Sequence, residues 1–170
     1  MLNKLITSRT RLKLLIKFFI SQANKGHLNG LASEMGESTN SIRKELNNLF
    51  EAGYLDKYKK DNKVVYNVNT KHPLYNTLRE IVMKHLGLYE IVDAVLNKMG
   101  GVSKIILVGD YARGFDTGKI EILLLGNNLN TDYIMQLAPK IENIIDRKVS
   151  FYLSSDFNYA QDHIILYEEV

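Results

Sequence analysis

Apolar residues recur with a helical period through the first 55 residues of the chain. The pattern predicts helices over residues 8–21 and 28–35, and a third that begins after Ser38 and ends before Gly53. In the third of these, the apolar positions share one face and the polar positions share the opposite face. Its apolar positions are Ile42, Leu46, Leu49 and Phe50. Ser38 is suited to cap the beginning of this helix, and Gly53 is suited to end it in a left-handed conformation.

Residues 54–68 follow a different pattern, with two short alternating segments on either side of a polar centre. Residues 54–58 and 64–68 predict two strands, and Asp61-Asn62 between them has the composition of a tight turn. The sequence therefore predicts a β-hairpin directly after the third helix. Four lysines lie at its tip and flanks: Lys57, Lys59, Lys60 and Lys63.

The second half of the chain alternates predicted strands with a helix. Residues 104–108, 119–125, 149–153 and 163–167 predict strands, and residues 131–146 predict a helix. The expected core face of that helix is Ile134, Leu137, Ile141, Ile144 and Ile145. This order indicates a small α/β or α+β domain.

The composition of the 170 residues is that of an ordinary globular protein, with 45% hydrophobic and 24% charged residues. No run of about 18 apolar residues exists, so we expect no membrane span and a cytoplasmic protein. The chain has no cysteine, which excludes disulfides and thiolate metal sites. His27 is expected on the surface, and the four histidines are too scattered to indicate a metal cluster.

The net charge of +3 is divided unevenly along the chain. Residues 1–72 hold 13 lysines and arginines against 6 acids, a net +7, and residues 73–170 hold 9 against 13, a net −4. A basic first part joined to an acidic second part is typical of a nucleic-acid-binding module fused to another domain.

The polar face of the third helix has the side chains that read base edges in the major groove of DNA. The candidate reading residues are Thr39, Asn40, Ser41, Arg43, Lys44 and Asn47. The lysines of the hairpin, Lys57, Lys59, Lys60 and Lys63, are candidates for binding phosphate. An amphipathic surface helix without this role is the alternative, and the basic hairpin that follows argues against it.

Residues 38–69 resemble the signature stretch of the ArsR-like winged-helix regulators. The resemblance rests on Leu46, Leu49, Gly53, Tyr54, Leu55, Tyr66 and Asn69, which match a reading helix, a basic wing and the exit from that wing. It implies a winged helix-turn-helix that binds double-stranded DNA. Some regulators of this kind sense metals, but the missing cysteines disfavour a metal site here.

Residues 74–86 and 88–99 predict two amphipathic helices separated by Gly87. The sequence allows three roles for their apolar faces. They can pack on residues 1–72, pack on residues 102–170, or pair with a second copy of the chain. We favour a homodimer, because a helix-turn-helix protein commonly reads two half-sites with two copies.

Residues 102–153 resemble small nucleotidyltransferase domains. The resemblance rests on Gly109, Ala112, Arg113 and Gly114 at the end of a buried strand. It implies a glycine and serine that hold nucleotide phosphate, an Asp-x-Asp pair on the second strand and a third carboxylate on the next. Two carboxylates spaced by two in a strand share one face and can bind Mg²⁺.

The chain departs from this pattern at each position that performs chemistry. Asp110 replaces the serine, Lys119 and Glu121 replace the aspartate pair, and Ser150 aligns with the third carboxylate. Asp116 lies nearby, but in the wrong register. We therefore expect a vestigial nucleotide site at Gly109, Asp110, Arg113, Lys119 and Glu121, with no catalytic residues and no metal.

The predicted fold class is α+β, in three parts. Residues 1–72 form a winged helix-turn-helix, residues 73–101 a helical connector that dimerises, and residues 102–170 an inactive nucleotidyltransferase-like domain. The predicted function is a transcriptional regulator that reads a palindromic DNA site, needs no cofactor and does not bind membranes. The alternative is an active nucleotidyltransferase that its winged domain directs to a target. The sequence also allows a small-molecule effector, whose identity it does not reveal.

Overall fold

The computed structural model describes residues 2–170, which fold as a mixed α+β protein with eight helices and two sheets. The chain divides into two compact units, Met1–Val82 and Met83–Val170. Within residues 2–170, no helix has both the length and the apolar character needed to cross a membrane.

Unit 1 combines helices with a three-stranded sheet. Its helices are α1 (Leu2–Leu5), α2 (Arg9–Phe19), α3 (Leu28–Met35) and α4 (Thr39–Glu51). Its strands are β1 (Lys25–His27), β2 (Leu55–Lys60) and β3 (Lys63–Val68), in the antiparallel order β1-β3-β2. Helix α5 (Tyr75–Leu86) follows, and the boundary between the units falls within it. The three helices and the hairpin expected from the sequence are confirmed.

The core of unit 1 forms where α2, α3 and α4 meet the sheet. Leu14 and Phe18 of α2 and Ile42 of α4 are fully buried. Leu31 of α3 and Leu46 of α4 have at most 1% of their surface exposed. Burying such side chains stabilises a fold by about 1.5–3 kcal/mol each. The packing therefore holds the apolar face of α4 inward and leaves its polar face outward.

Strand β1 was not expected from the sequence. Its three residues are too few for an alternating pattern, and the strand exists because Lys25 and His27 pair with Asn67 and Val65 of β3. Gly26 lies against Leu31, where a Cβ would come within 2.5 Å of a methyl carbon. The glycine therefore permits the close approach of the strand and α3.

Unit 2 combines helices with a four-stranded sheet. Its helices are α6 (Leu88–Lys98), the short α7 (Gly109–Ala112) and α8 (Thr131–Ile145). Its strands are β4 (Val102–Val108), β5 (Lys119–Gly126), β6 (Lys148–Ser154) and β7 (Ile164–Glu168). The sheet order is β6-β5-β4-β7, with β5 and β6 parallel and the other pairs antiparallel.

Helix α8 connects the parallel strands β5 and β6 and packs against α6. Leu137, Ile141 and Ile145 are buried, as the helical period predicted. The expectation for Ile144 was wrong, because 71% of its surface is exposed. Ile144 follows Ile141 by three residues, but the sheet and α6 cover only the narrower stripe of α8 on which Leu137, Ile141 and Ile145 lie.

Candidate nucleic-acid interface

Helix α4 has well-defined ends that position its polar face. The hydroxyl of Ser38 accepts a hydrogen bond from the backbone N–H of Ser41 at 3.1 Å. At the other end Gly53 has a φ of +82°, and its N–H donates to the carbonyl of Phe50 at 2.9 Å. The N–H of Tyr54 donates to the carbonyl of Leu49 at 2.9 Å, which completes a Schellman motif. Both predicted caps are confirmed.

Most of the predicted reading residues lie on the exposed side of α4. Thr39, Asn40, Arg43, Lys44 and Asn47 are exposed. The Arg43 guanidinium donates a hydrogen bond to the side-chain oxygen of Asn40 at 3.2 Å. This pair leaves the other donors of the guanidinium available to a ligand.

Ser41 differs from the other predicted reading residues because it belongs to the cap. It is half-buried, and its hydroxyl accepts a hydrogen bond from the hydroxyl of Ser38 at 2.9 Å. Its side chain is therefore engaged within the protein.

Glu45 is the residue of α4 that sequence reasoning missed. Only 5% of its surface is exposed, and its carboxylate accepts hydrogen bonds from Arg11 Nε at 2.8 Å and Ser8 Oγ at 2.9 Å. Burial alone would raise the pKa of Glu45, but the hydrogen bonds from Arg11 and Ser8 hold it below its usual value. A signal was present in the sequence, since position 45 lies between Ile42 and Leu49 on the apolar face.

Two further acids near α4 also pair with cations of α2. Lys13 Nζ lies 2.7 Å from Oε1 of Glu37, and the hydrogen bond from Lys13 lowers the pKa of Glu37. Lys17 Nζ lies 3.7 Å from Oε2 of Glu34. These three acids are thus neutralised by α2, whereas Glu51 in the last turn of α4 is exposed, so the cationic part of the exposed side lies at Arg43 and Lys44.

The hairpin presents its lysines on two faces. The turn residues Asp61 and Asn62 have φ values of 50° and 60°, the left-handed conformations of a type I′ turn. Lys59 lies on the same side of β2 as the buried Leu55, whereas Lys60 pairs with Lys63 on the other side. All three lysines are exposed, and within residues 2–170 no carboxylate pairs with them.

Lys57 lies at the base of the hairpin, away from its tip. Its Nζ atom lies 4.1 Å from the centre of the Phe50 ring, the geometry of a cation–π contact. The side chain therefore packs against the last turn of α4, although the residue is exposed overall.

A cleft of about 370 Å³ lies beside the exposed face of α4. It is lined by the beginning of α3, by α4 and by the hairpin, with His27, Asn29, Arg43, Asn47, Asn62 and Lys63 among its residues. His27 is half-buried and caps α3, since its Nδ1 accepts a hydrogen bond from the N–H of Gly30 at 3.2 Å. From the sequence, His27 was expected only on the surface, Asn62 was assigned only to the turn, and Asn29 had no assigned role.

The predicted vestigial nucleotide residues lie at one end of the sheet of unit 2. Gly109 has a φ of +70°, and a Cβ there would collide with the carboxylate of Glu121. Tyr152 donates a hydrogen bond to Oε1 of Glu121 at 3.1 Å, and Ser150 lies beside Glu121 in the parallel pairing of β5 and β6. The turn at Gly109 corresponds, in the resemblance drawn from the sequence, to a phosphate-binding turn. Here it faces the carboxylate of Glu121.

Two of the acids in this region, Asp110 and Asp116, pair with arginines, whereas Lys119 has another cation beside it. Asp110 and Arg113 form an ion pair within one turn, and Lys119 lies beside Lys148 in the sheet register. Asp116 accepts hydrogen bonds from Arg147 at 3.0 Å and 2.7 Å and another from the hydroxyl of Tyr111. Within residues 2–170, no group of three histidine or acidic side chains is arranged to hold a metal ion.

Asp116 and Tyr111 form a polar network in which both groups have shifted pKa values. Burial would raise the pKa of Asp116, but the hydrogen bonds from Arg147 and Tyr111 hold it below its usual value. Burial, together with the hydrogen bond to Asp116, raises the pKa of Tyr111 well above its usual value. Tyr111 is fully buried and stays neutral, so its hydroxyl can serve as a hydrogen-bond donor.

The structures of known DNA-binding proteins include distant likenesses to part of this chain. No protein-family model matches the chain, and no curated protein matches it. Among solved structures, Sso10a-2, a DNA-binding protein from Sulfolobus solfataricus, is 17% identical with a TM-score of 0.35, over 50% of this chain and 90% of that one. The AntR antimony-specific transcriptional repressor is 18% identical with a TM-score of 0.35, over 54% of this chain and 73% of that one. Both TM-scores lie below 0.5, so these likenesses carry no weight for function.

Proposed function

We propose that unit 1 is a winged helix-turn-helix that binds double-stranded DNA and that the protein regulates transcription. The observation that carries the proposal is the charge of α4 from Thr39 to Asn48: Glu45, the only acid of this stretch, turns inward to Arg11 and Ser8, and the exposed Glu51 lies in the last turn beyond it. The outward face then presents the amides of Asn40 and Asn47 beside two cations. Amides pair with adenine and guanidinium groups with guanine in the major groove.

The hairpin supports the same proposal. Its exposed lysines Lys59, Lys60 and Lys63 follow α4 directly and have no carboxylate partner among the described residues. Cations of this kind bind phosphates and contribute affinity for any sequence. In the proposed complex, α4 supplies sequence preference and the hairpin supplies non-specific affinity.

Selection from a pool of random DNA duplexes tests the function directly. The full chain is expected to enrich a common sequence that it then binds more tightly than a scrambled duplex of equal length in gel-shift titrations. Specific binding is commonly about 10³–10⁷ times tighter than non-specific binding. Failure to enrich any sequence, with equal affinity for all duplexes, would contradict sequence-specific binding.

We further propose that two copies of the chain read a palindromic site. Exposed apolar side chains support a dimer. Leu74 and Ile81 of unit 1 have 46% and 38% of their surface exposed, and Leu96 of unit 2 has 39%. A second copy would remove such surface from water. Sedimentation at micromolar concentration is expected to give the mass of a dimer, and a monomer at all concentrations would contradict it.

For unit 2 we propose a nucleotidyltransferase-like fold that does not perform the reaction. Glu121 faces Gly109, and Asp116 is engaged by Arg147, so the nearest carboxylates do not converge on one metal position. Nucleotidyl transfer needs a divalent ion to neutralise the triphosphate. The domain would then serve as a scaffold, a dimerisation unit or a sensor of an effector.

A further inference from the structure

Helix α4 is attached to the beginning of α2 by one buried carboxylate. Glu45 accepts hydrogen bonds from two side chains of that segment, Ser8 Oγ at 2.9 Å and Arg11 Nε at 2.8 Å. Ser8 is also the N-cap of α2, since its oxygen accepts from the N–H of Arg11 at 3.2 Å. Two hydrogen bonds therefore join the N-terminal turn of α2 to the middle of α4, and a third, within α2, links their two donor residues.

The other ion pairs of α2 do not hold α4 itself. Lys13 pairs with Glu37, which lies in the turn before α4, and Lys17 pairs with Glu34 of α3. The hydrophobic effect that buries Ile42 and Leu46 is non-directional, so it defines the rotation of the helix less sharply than hydrogen bonds do. Hydrogen bonds to a charged group have defined geometry and resist such rotations.

We propose that Ser8, Arg11 and Glu45 are positioning residues that set the rotation of α4 about its axis. The inference rests on the proposed DNA binding, because the rotation matters only if Arg43 and Asn47 must meet base edges. Binding constellations must be held within about 0.5 Å and 10–20° of their productive geometry. The side chains that read DNA lie on the face of α4 opposite Glu45, so a rotation at the cluster displaces them directly.

The test compares two arginines of the same turn of α2. Arg11→Met removes the hydrogen bond to Glu45. Arg9→Met removes the same charge from a residue whose side chain is 84% exposed and whose Nε lies 3.9 Å from Glu37. A duplex selected by the wild-type chain and its scrambled counterpart are the two probes, and the readout is the ratio of their affinities.

We expect Arg11→Met and Glu45→Gln each to lower this ratio by about tenfold, which is of the size of the penalty for one mismatched base pair. Arg9→Met should leave the ratio within about twofold of the wild type, since exposed, loosely paired charges contribute little. Affinity for the scrambled duplex should be similar in Arg11→Met and Arg9→Met, because each variant has one positive charge fewer than the wild type.

A double variant separates positioning from folding. Arg11→Leu with Glu45→Met replaces the ion pair, whose carboxylate is buried and whose arginine is 44% exposed, with apolar side chains, so no buried carboxylate is left without its partner. We expect its melting temperature to recover relative to Glu45→Gln while the affinity ratio stays low. If the ratio recovers together with stability, or if Arg9→Met reduces sequence preference as much as Arg11→Met does, the inference is overturned.

Selection of a duplex by the wild-type chain separates loss of the positioning role from loss of DNA binding. If the wild-type chain selects a duplex and every variant keeps the wild-type affinity ratio, DNA binding stands and the positioning role falls. If the wild-type chain selects no duplex, the proposed function falls, and the positioning role falls with it.

Discussion

The guanidinium of Arg147 donates two hydrogen bonds to the carboxylate of Asp116, from Nε at 3.0 Å and from Nη2 at 2.7 Å. The same guanidinium donates to the backbone carbonyl of His85 at 3.1 Å. Only 13% of the Arg147 side chain and 27% of the Asp116 side chain are exposed. Asp116 is therefore a structural acid of unit 2, with its lone pairs directed at protein donors.

This pair makes the stability of the protein depend on pH in the acid range. The pKa of Asp116 is lower in the folded state than its usual value, so its contribution is present above the usual pKa and is lost as the pH falls. We expect Asp116→Asn to lower the free energy of unfolding at pH 7 by about 1–3 kcal/mol, because it leaves Arg147 poorly paired.

Urea unfolding of the full chain measures this effect. The difference between wild type and Asp116→Asn should shrink progressively as the pH falls below about 4, the ordinary pKa of aspartate. Asp93→Asn, an exposed acid of α6, is the matched control and should change stability by less than about 0.5 kcal/mol. A difference that stays constant down to the acid range would contradict the assignment.

The exposed face of α4 leads to a prediction about sequence preference. Asn40→Ala and Arg43→Ala should each reduce binding to the selected duplex by about 1–3 kcal/mol, and Asn40→Ala should change binding to the scrambled duplex little. Asn97→Ala removes an exposed amide from α6 and serves as the control for Asn40→Ala. Gel-shift titration against both duplexes gives the comparison. Unchanged preference in both variants would show that α4 does not read bases.

The hairpin lysines lead to a prediction about salt. Replacing Lys59, Lys60 and Lys63 with glutamine should weaken binding to all duplexes alike. The slope of log K against log salt should become less steep by about 0.9 for each phosphate that the variant no longer neutralises. The control replaces three exposed lysines of unit 2, Lys84, Lys98 and Lys140, and so makes the same change in net charge. Equal slopes for the two triple variants would place the hairpin away from DNA.

The arrangement around Glu121 predicts the absence of nucleotidyl transfer. Incubation of the full chain with Mg²⁺ or Mn²⁺ and labelled nucleotides should label neither the protein nor DNA, because Lys119 repels a divalent ion and the carboxylates near Glu121, Asp110 and Asp116, are paired with arginines. Metal-dependent labelling that Glu121→Ala abolishes would instead support the alternative of an active enzyme.

Local rules predicted the segment from Ser38 to Val68 because its signals are all close in sequence. The cap at Ser38, the left-handed Gly53 and the Asp61-Asn62 turn each depend on a few neighbouring residues. The spacing of the apolar residues also predicted which face of α4 is buried. The same reasoning placed Ile144 of α8 in the core and was wrong there, because periodicity does not reveal how wide a stripe the neighbouring elements cover.

The chain by itself determined most of the elements, the caps of α4 and the residue types on the outer face of α4, since these follow from backbone preferences and from the spacing of apolar residues. Only the tertiary structure decided which charged side chains are paired within the protein and which remain available to a ligand. Glu45 meets Arg11 34 residues away, and Asp116 meets Arg147 31 residues away, at separations that no local pattern encodes. Strand β1 likewise exists only through its pairing with β3. Pairings between distant residues arise from packing, and packing depends on the whole fold.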